Sequence, residues 1–286
     1  MPTDPIAEYG ALFVRDGERF VATPLGRGPW SPNALHGGPP SALLAHLLAR
    51  HDPGPASFVA RLTVELLRPV PIAALQAVAR TIRPGKKVQW LEGMLLADGV
   101  EVARATALRL RVEDVDVADA VSPPVPAPPP VSAGAPPAIE FVDREHVGYW
   151  SANDIRLVRG GFGVAGRATA WLRLKCPVVE GEPVAPFERV AAAADFGSGI
   201  GNPLTFVTAS AINPEVSIHT FRHPQGEWVG MESGAWAAAH GVGLAETTLH
   251  DEHGLLGRAA QTLLVSPIAG GGGRPGFAPE NASTQP

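Results

Sequence analysis

One cysteine is all that the 286 residues hold. Cys176 has no partner for an internal disulfide, and a zinc site built from several thiolates is excluded. It follows an apolar stretch and precedes Pro177, a setting that reads as packing rather than as a nucleophile. Charge is also scarce, at 18% of residues, and 23 Lys and Arg against 28 Asp and Glu leave a net −5. There is no basic footprint for nucleic acid. No run of about 18 apolar residues is present to cross a membrane. The opening MPTDPIAEYG lacks the basic start and apolar core of a secretory leader. Also missing are a Gly-x-Ser-x-Gly elbow, a His-Glu-x-x-His metal motif and a phosphate-cradling loop ending in Lys. A soluble, cytoplasmic protein that binds neither nucleic acid nor membrane is the expectation.

What is present is a repeat. RLTVELLRPVP (61–71) is answered by EVSIHTFRHPQ (215–225), and GVEVARATALRL (99–110) by GLLGRAAQTLLV (254–265). Placing Arg68 on Arg222 also places Arg104 on Arg258, both at a separation of 154 residues. Two anchors at one offset indicate a duplicated unit of about 110–150 residues, an ordinary domain size. In this register Asn213 stands opposite Val59 and Gln261 opposite Ala107; aligning Pro40 with Pro186 sets Asp195 opposite Ala49. The second copy is polar where the first is apolar.

Between the copies the chain turns acidic and then proline-rich over residues 113–138, an extended linker. This divides the chain into a first unit at 1–112, a second at 139–268 and a disordered tail at 269–286. The first unit reads as a hairpin about Asp16-Gly17 and a turn-rich loop, GRGPWSPNALHGGPP. A helix at 41–50 is apolar on all sides and hence buried, and strands follow at 61–68, 75–83, 87–97 and 100–112. The second unit has opening strands at 155–159 and 165–176 and a helix over 186–197. Strands then run near 204–212, 215–222, 227–238, 242–250 and 255–266. The class is α+β, with antiparallel sheets each curved around one hydrophobic helix.

At HGGPPSALLAHLL, VELLRPVP, ADFGSG, INPEVSIHTFR and GRAAQTLLV the chain resembles the TesB-like, type II acyl-CoA thioesterases, the double-hotdog family. The resemblance runs in the family's order over roughly residues 10–266. It implies hydrolysis of an acyl-CoA by an activated water without a cofactor, and catalytic residues at Asp195, Asn213 and Gln261. The middle position carries Thr in the best-known members, so Thr208 and Ser210 remain alternatives to Asn213. A homodimer is the expected assembly. The related hotdog hydratases place a His five residues after their Asp; here that residue is Ile200, which speaks against hydration.

The residue types suit the chemistry. A carboxylate accepts or steers the proton of water, and two amides orient that water. Each also has a plain structural reading: Asp195 as a turn residue before Gly197, Gln261 as a satisfied core amide, Asn213 as a turn former before Pro214. In the first unit, His36-Gly37-Gly38 opens the helix. There the glycines allow close backbone approach, and free N–H groups favour an anion or a carbonyl oxygen. The alternative is a helix-opening loop with an exposed imidazole. Arg83, Lys86 and Lys87 read as a solvated turn more readily than as a contact for CoA phosphates. With no equivalents of the three polar residues, the first unit is expected to serve as a wall of the acyl tunnel. A non-catalytic acyl-CoA or lipid-binding protein on the same scaffold is the competing reading, and a ligand-free dimerisation module a third.

Overall fold

The computed structural model describes residues 4–52, 57–117, 123–137, 146–204 and 209–268; the tail from 269 onward, part of the linker and Thr208 lie outside this set. After a short α1 (Pro5–Tyr9), the first half contains the hairpin β1 (Phe13–Asp16) and β2 (Arg19–Ala22). The long helix α2 (Gly38–Arg50) follows. Strands β3 (Ser57–Leu66), β4 (Ala74–Arg83), β5 (Val88–Ala97) and β6 (Val100–Arg111) complete this half. The second half opens with β7 (Asn153–Arg159) and β8 (Ala168–Leu174), then α3 (Pro186–Ala194) and α4 (Gly197–Ile200). It ends with β9 (Ala209–Ile212), β10 (Glu215–Thr220), β11 (Val229–Ala237), β12 (Val242–Asp251) and β13 (Gly254–Pro267).

All named strands join one antiparallel sheet in the order β1-β2-β4-β5-β6-β3-β10-β13-β12-β11-β8-β7, with β9 also on β13. The halves meet where β3 pairs with β10, and Thr63 lies opposite Ser217. These two residues are 154 positions apart and their hydroxyls are hydrogen-bonded at 3.2 Å. A residue facing its own repeat equivalent across an antiparallel pair marks a local two-fold axis, so the offset read from the sequence is realised in the sheet. The copies differ at one place on this seam. In β3 the ladder shifts register between Val59 and Arg61. In the second copy the strand breaks instead at Asn213-Pro214, and β9 and β10 follow one another along the same edge of β13. Proline has no N–H for a ladder, which ends the pairing there.

Both helices lie in the concavity of the sheet. Helix α2 buries its residues from Gly38 to His46 and Leu48, as an all-apolar helix must. It packs antiparallel to α3: its N-terminus meets Ala192 and Asp195, while His46 and Arg50 near its C-terminus meet Glu188. One apolar cluster runs through both halves. The segment 186–197, expected as one helix, is two: α3 stops at Ala194, Asp195 caps it, and α4 starts at Gly197. The Phe196 N–H closes a tighter turn onto the Ala193 carbonyl, and this is where the axis breaks. Among the described residues no helix is long and apolar enough to cross a membrane.

Glu188 is 1% exposed and ties these helices together. Its Oε1 accepts from Arg50 and lies 3.0 Å from His46 Nδ1, while Oε2 accepts the Ala185 N–H at 3.0 Å, covering an open donor at the start of α3. Burial pushes its carboxyl up, but His46, Arg50 and the Ala185 N–H outweigh this and hold it below the ordinary 4.5. A lowered carboxyl contributes stability above its unfolded value and loses it as pH falls through the folded value. Glu188→Gln should therefore cost about 3 kcal/mol in urea unfolding at neutral pH, the scale of a broken buried pair. Below pH 4.5 the difference from the parent should shrink.

Candidate active site

Asp195 lies where α3 ends, a position at which the helix dipole disfavours a carboxylate. It is nevertheless 5% exposed, so other groups must hold its charge. Three do. Asn213 Nδ2 donates to Oδ1 at 2.7 Å, His36 Nδ1 lies 2.8 Å from Oδ2, and the Gly38 N–H at the start of α2, which donates to His36 Nδ1 at 3.2 Å, also lowers the carboxyl. Burial pushes the Asp195 carboxyl up, yet the charge and hydrogen bond of His36, followed by Asn213 and Gly38, pull it below its ordinary value. The start of one helix thus compensates the end of the other.

The close approach depends on two glycines. A Cβ on Gly37 would stand 2.6 Å from both Asp195 oxygens, and one on Gly38 2.6 Å from the Tyr149 ring and 2.8 Å from the Ala192 carbonyl oxygen. Gly37 has φ −66°, open to any residue; space, not backbone torsion, excludes a side chain. Tyr149 donates to Ala192 O at 2.9 Å and stacks on Phe196 with ring centres 5.2 Å apart. The His36 ring contacts both, at 5.0 and 4.7 Å. Burial raises the Tyr149 phenol well above its ordinary value, so it remains a neutral donor.

The strand break sets Asn213. Without a ladder partner on one side, its side chain reaches Asp195, and its Oδ1 lies 3.5 Å from Ser198 Oγ. Gln261 is 1% exposed, inside β13, and its amide serves backbone groups. Oε1 accepts the Ser198 N–H at 2.8 Å and Nε2 donates to the Asp195 carbonyl at 3.3 Å. The Ser198 N–H decides which end is oxygen, since a flipped amide would oppose two donors. Gln261 therefore braces the Asp195–Ser198 turn from behind, and the thin edge of Gly197 makes room for it: a Cβ there would meet Gln261 Oε1 at 2.9 Å.

In front of the carboxylate lies a cavity of about 480 Å³. His36, Gly37, Asp195, Ser198 and Asn213 form its polar end, and Trp30, Leu66, Val70, Phe162, Phe196 and Ile212 are among its apolar walls. Gln261 does not line it. Of the residues expected from the sequence, Asp195, Asn213, His36, Gly37 and Gly38 come together, with Gln261 one layer behind. Ser210 is on β9 with its hydroxyl near the Ser266 carbonyl, so Asn213 and not Ser210 is the partner of Asp195. The first half is more than a wall, because His36 and both glycines belong to the polar cluster. Ser198 and Tyr149 were not anticipated: the first sits in a Gly-Ser-Gly turn like many others, and the second follows a linker without periodicity. Arg83, Lys86 and Lys87 are exposed at the β4–β5 turn. Cys176 is buried and its thiol is pushed up to about 12 by desolvation, which agrees with a packing role. No three His, Cys, Asp or Glu side chains among the described residues cluster as metal ligands.

The sequence model of the acyl-CoA thioesterase C-terminal domain matches residues 118–265, and that of the N-terminal domain residues 26–110. The chain belongs to the acyl-CoA thioesterase family. This thioesterase has the double-hotdog fold expected from its sequence, and solved structures share it over nearly the whole length. A presumed thioesterase II from Thermobifida fusca YX matches with TM-score 0.71 at 16% identity, covering 93% of this chain and 99% of that one. The tesB protein of Mycobacterium avium subs paratuberculosis matches with TM-score 0.65 at 17% identity, covering 93% and 100%. Acyl-CoA thioesterase II TesB2 from Mycobacterium marinum matches with TM-score 0.64 at 16% identity, covering 89% and 95%. At these identities it is the fold that is shared. No curated protein matches the chain.

The glycine contact makes a sharp test of the site. In Gly37→Ala of the thioesterase, the new methyl must displace Asp195 or the start of α2. Turnover should fall about 10²-fold, the effect of a displacement near 1 Å at a reacting centre. Circular dichroism should still report a folded protein, and an unchanged kcat would mean that the contact is not needed.

Proposed function

We propose that the enzyme hydrolyses an acyl-CoA to a free acid and CoA in the cavity between the two halves, with a water activated at the Asp195 cluster. The observation that carries this reading is a single buried carboxylate at the polar end of an otherwise apolar cavity. Its two oxygens are each held by a partner, one from either half of the chain. The apolar walls suit an acyl chain, which gains about 25 cal/mol for each Å² removed from water. The thioester carbonyl then faces the polar end.

Attack by water places negative charge on the carbonyl oxygen and requires loss of a proton from the water. Asp195 supplies the fixed negative charge that favours this loss. Asn213 holds Asp195 through Nδ2, and its Oδ1 remains an acceptor for water or for Ser198. The amide can stand in for a Thr hydroxyl, since it donates to the carboxylate through nitrogen while its oxygen accepts. Gln261 acts through the turn: it keeps the Ser198 N–H satisfied and fixes the Asp195 backbone. No covalent acyl-enzyme is needed.

The test is release of CoA thiol across short, medium, long and aromatic acyl-CoAs. Asp195→Asn should lose about 10²–10⁴-fold in kcat, the range of acid–base assistance. Gln261→Ala should lose activity together with about 1–3 kcal/mol of stability, because it strands a buried N–H. Tight acyl-CoA binding by the parent enzyme with no thiol released from any of the panel would overturn the reading.

A further inference from the structure

We infer that His36 Nε2 receives the proton of the attacking water, and that Asp195 works through the imidazole as its positioning partner. The inference rests on the hydrolysis reading above and assigns the proton acceptor within it. The argument is geometric. The Asp195 side chain is 4% exposed, and each of its oxygens already has a short bond, to Asn213 and to His36. Each oxygen keeps a second lone pair, but so little of this carboxylate is exposed that a water has scant room to reach it. His36 is the more accessible of the two, at 16%, and lines the same cavity.

The two ring nitrogens have distinct surroundings. Nδ1 lies 2.8 Å from the carboxylate and 3.2 Å from the Gly38 nitrogen. It cannot donate to one and accept from the other in the same state. The shorter contact, to an anion, takes the Nδ1 proton, and the Gly38 N–H, whose direction the backbone fixes, then contributes through its effect on the neighbouring carboxylate. Nε2 then carries the lone pair. Among the described residues no side chain or backbone group bonds Nε2, and it is not among the buried unpartnered atoms; it is open to water. The ring is held against Tyr149 and Phe196, so its direction is set before substrate arrives. An imidazole bonded through one nitrogen to a buried carboxylate and free at the other is the arrangement of a general base.

The step balances without another reactant. The water oxygen bonds the thioester carbon while its proton moves to Nε2, and the carbonyl π pair shifts to oxygen. As that pair returns, the C–S bond breaks, sulfur keeps the bonding electrons, and the imidazolium gives the proton to the thiolate. The products are the carboxylic acid and CoA thiol. Among the described residues, the other titratable groups near the ring are Tyr149, neutral and bonded to Ala192 O, Arg27, directed to the Pro32 and Val147 carbonyls, and Arg68 at the cavity wall.

The experiment uses the full-length enzyme and the acyl-CoA that it releases fastest, with kcat measured against pH. His36→Gln and His36→Phe should each lower kcat by about 10²–10⁴-fold, with KM within threefold and thermal melting close to the parent; Phe keeps the ring packing and guards against loss by misfolding. The limb of the parent's pH profile that reports the base should vanish in both, and added imidazole should restore part of the turnover of His36→Ala. A His36→Gln enzyme within tenfold of the parent, or one that keeps the parent's limb, assigns the proton to Asp195 and overturns the inference. Loss in all variants without imidazole rescue and with the limb preserved overturns it as well. A parent enzyme that releases no thiol from any acyl-CoA overturns both readings together.

Discussion

Asp195 ends one helix and lies against the beginning of another, and most of the architecture follows from holding those two ends together. A carboxylate at a helix C-terminus faces the negative end of the dipole, and burial adds a desolvation penalty. What offsets both is the start of α2, which brings an N–H, an imidazole and an approach that only glycine permits. The approach requires that the helices run antiparallel within a common core. That in turn requires the two curved sheets to join edge to edge along β3 and β10 so that both helices share one concavity. The geometry of the polar cluster and the fold are therefore the same constraint seen at two scales.

The antiparallel helices produce a second meeting of ends, and there the chemistry is different. Where α2 finishes against the beginning of α3, the space is closed by Glu188, His46 and Arg50, with Glu182 nearby. The carboxylate here sits at the favourable end of its helix and is met by an imidazole and a guanidinium, so it locks the interface. At the Asp195 end one half supplies the imidazole and the other the carboxylate, beside a cavity. One pair of helix ends became an ion-pair lock, the other an opening.

Much of this was legible in the sequence, for reasons that differ from residue to residue. The 154-residue offset could be read because strand alternation survives duplication, and it reappears as Thr63 facing Ser217. Asp195 and Gln261 stood out as polar groups in apolar runs, which must be paired to be buried. How each is paired was not legible. Gln261 turned out to serve the backbone behind the site, and His36 to contact Asp195 directly, because both contacts join segments distant in sequence and depend on how the helices dock. The division of the expected 186–197 helix was hidden for the opposite reason: Asp195 and Phe196 keep helical torsions, so no local signal marks the stop. Tyr149, in an aperiodic stretch beyond the linker, carried no pattern at all.

The placement of Thr63 opposite Ser217 has one more consequence. Two identical subunits paired about such an axis would carry every substitution twice, once at each pair of helix ends. A residue good for a cavity would then be forced on the end that needs closing, and the reverse. Joining the copies in one chain lifts that symmetry. Asn213 can exist without a counterpart at Val59, so each end of the helix pair is free to adopt residues that would be a compromise if both had to share them.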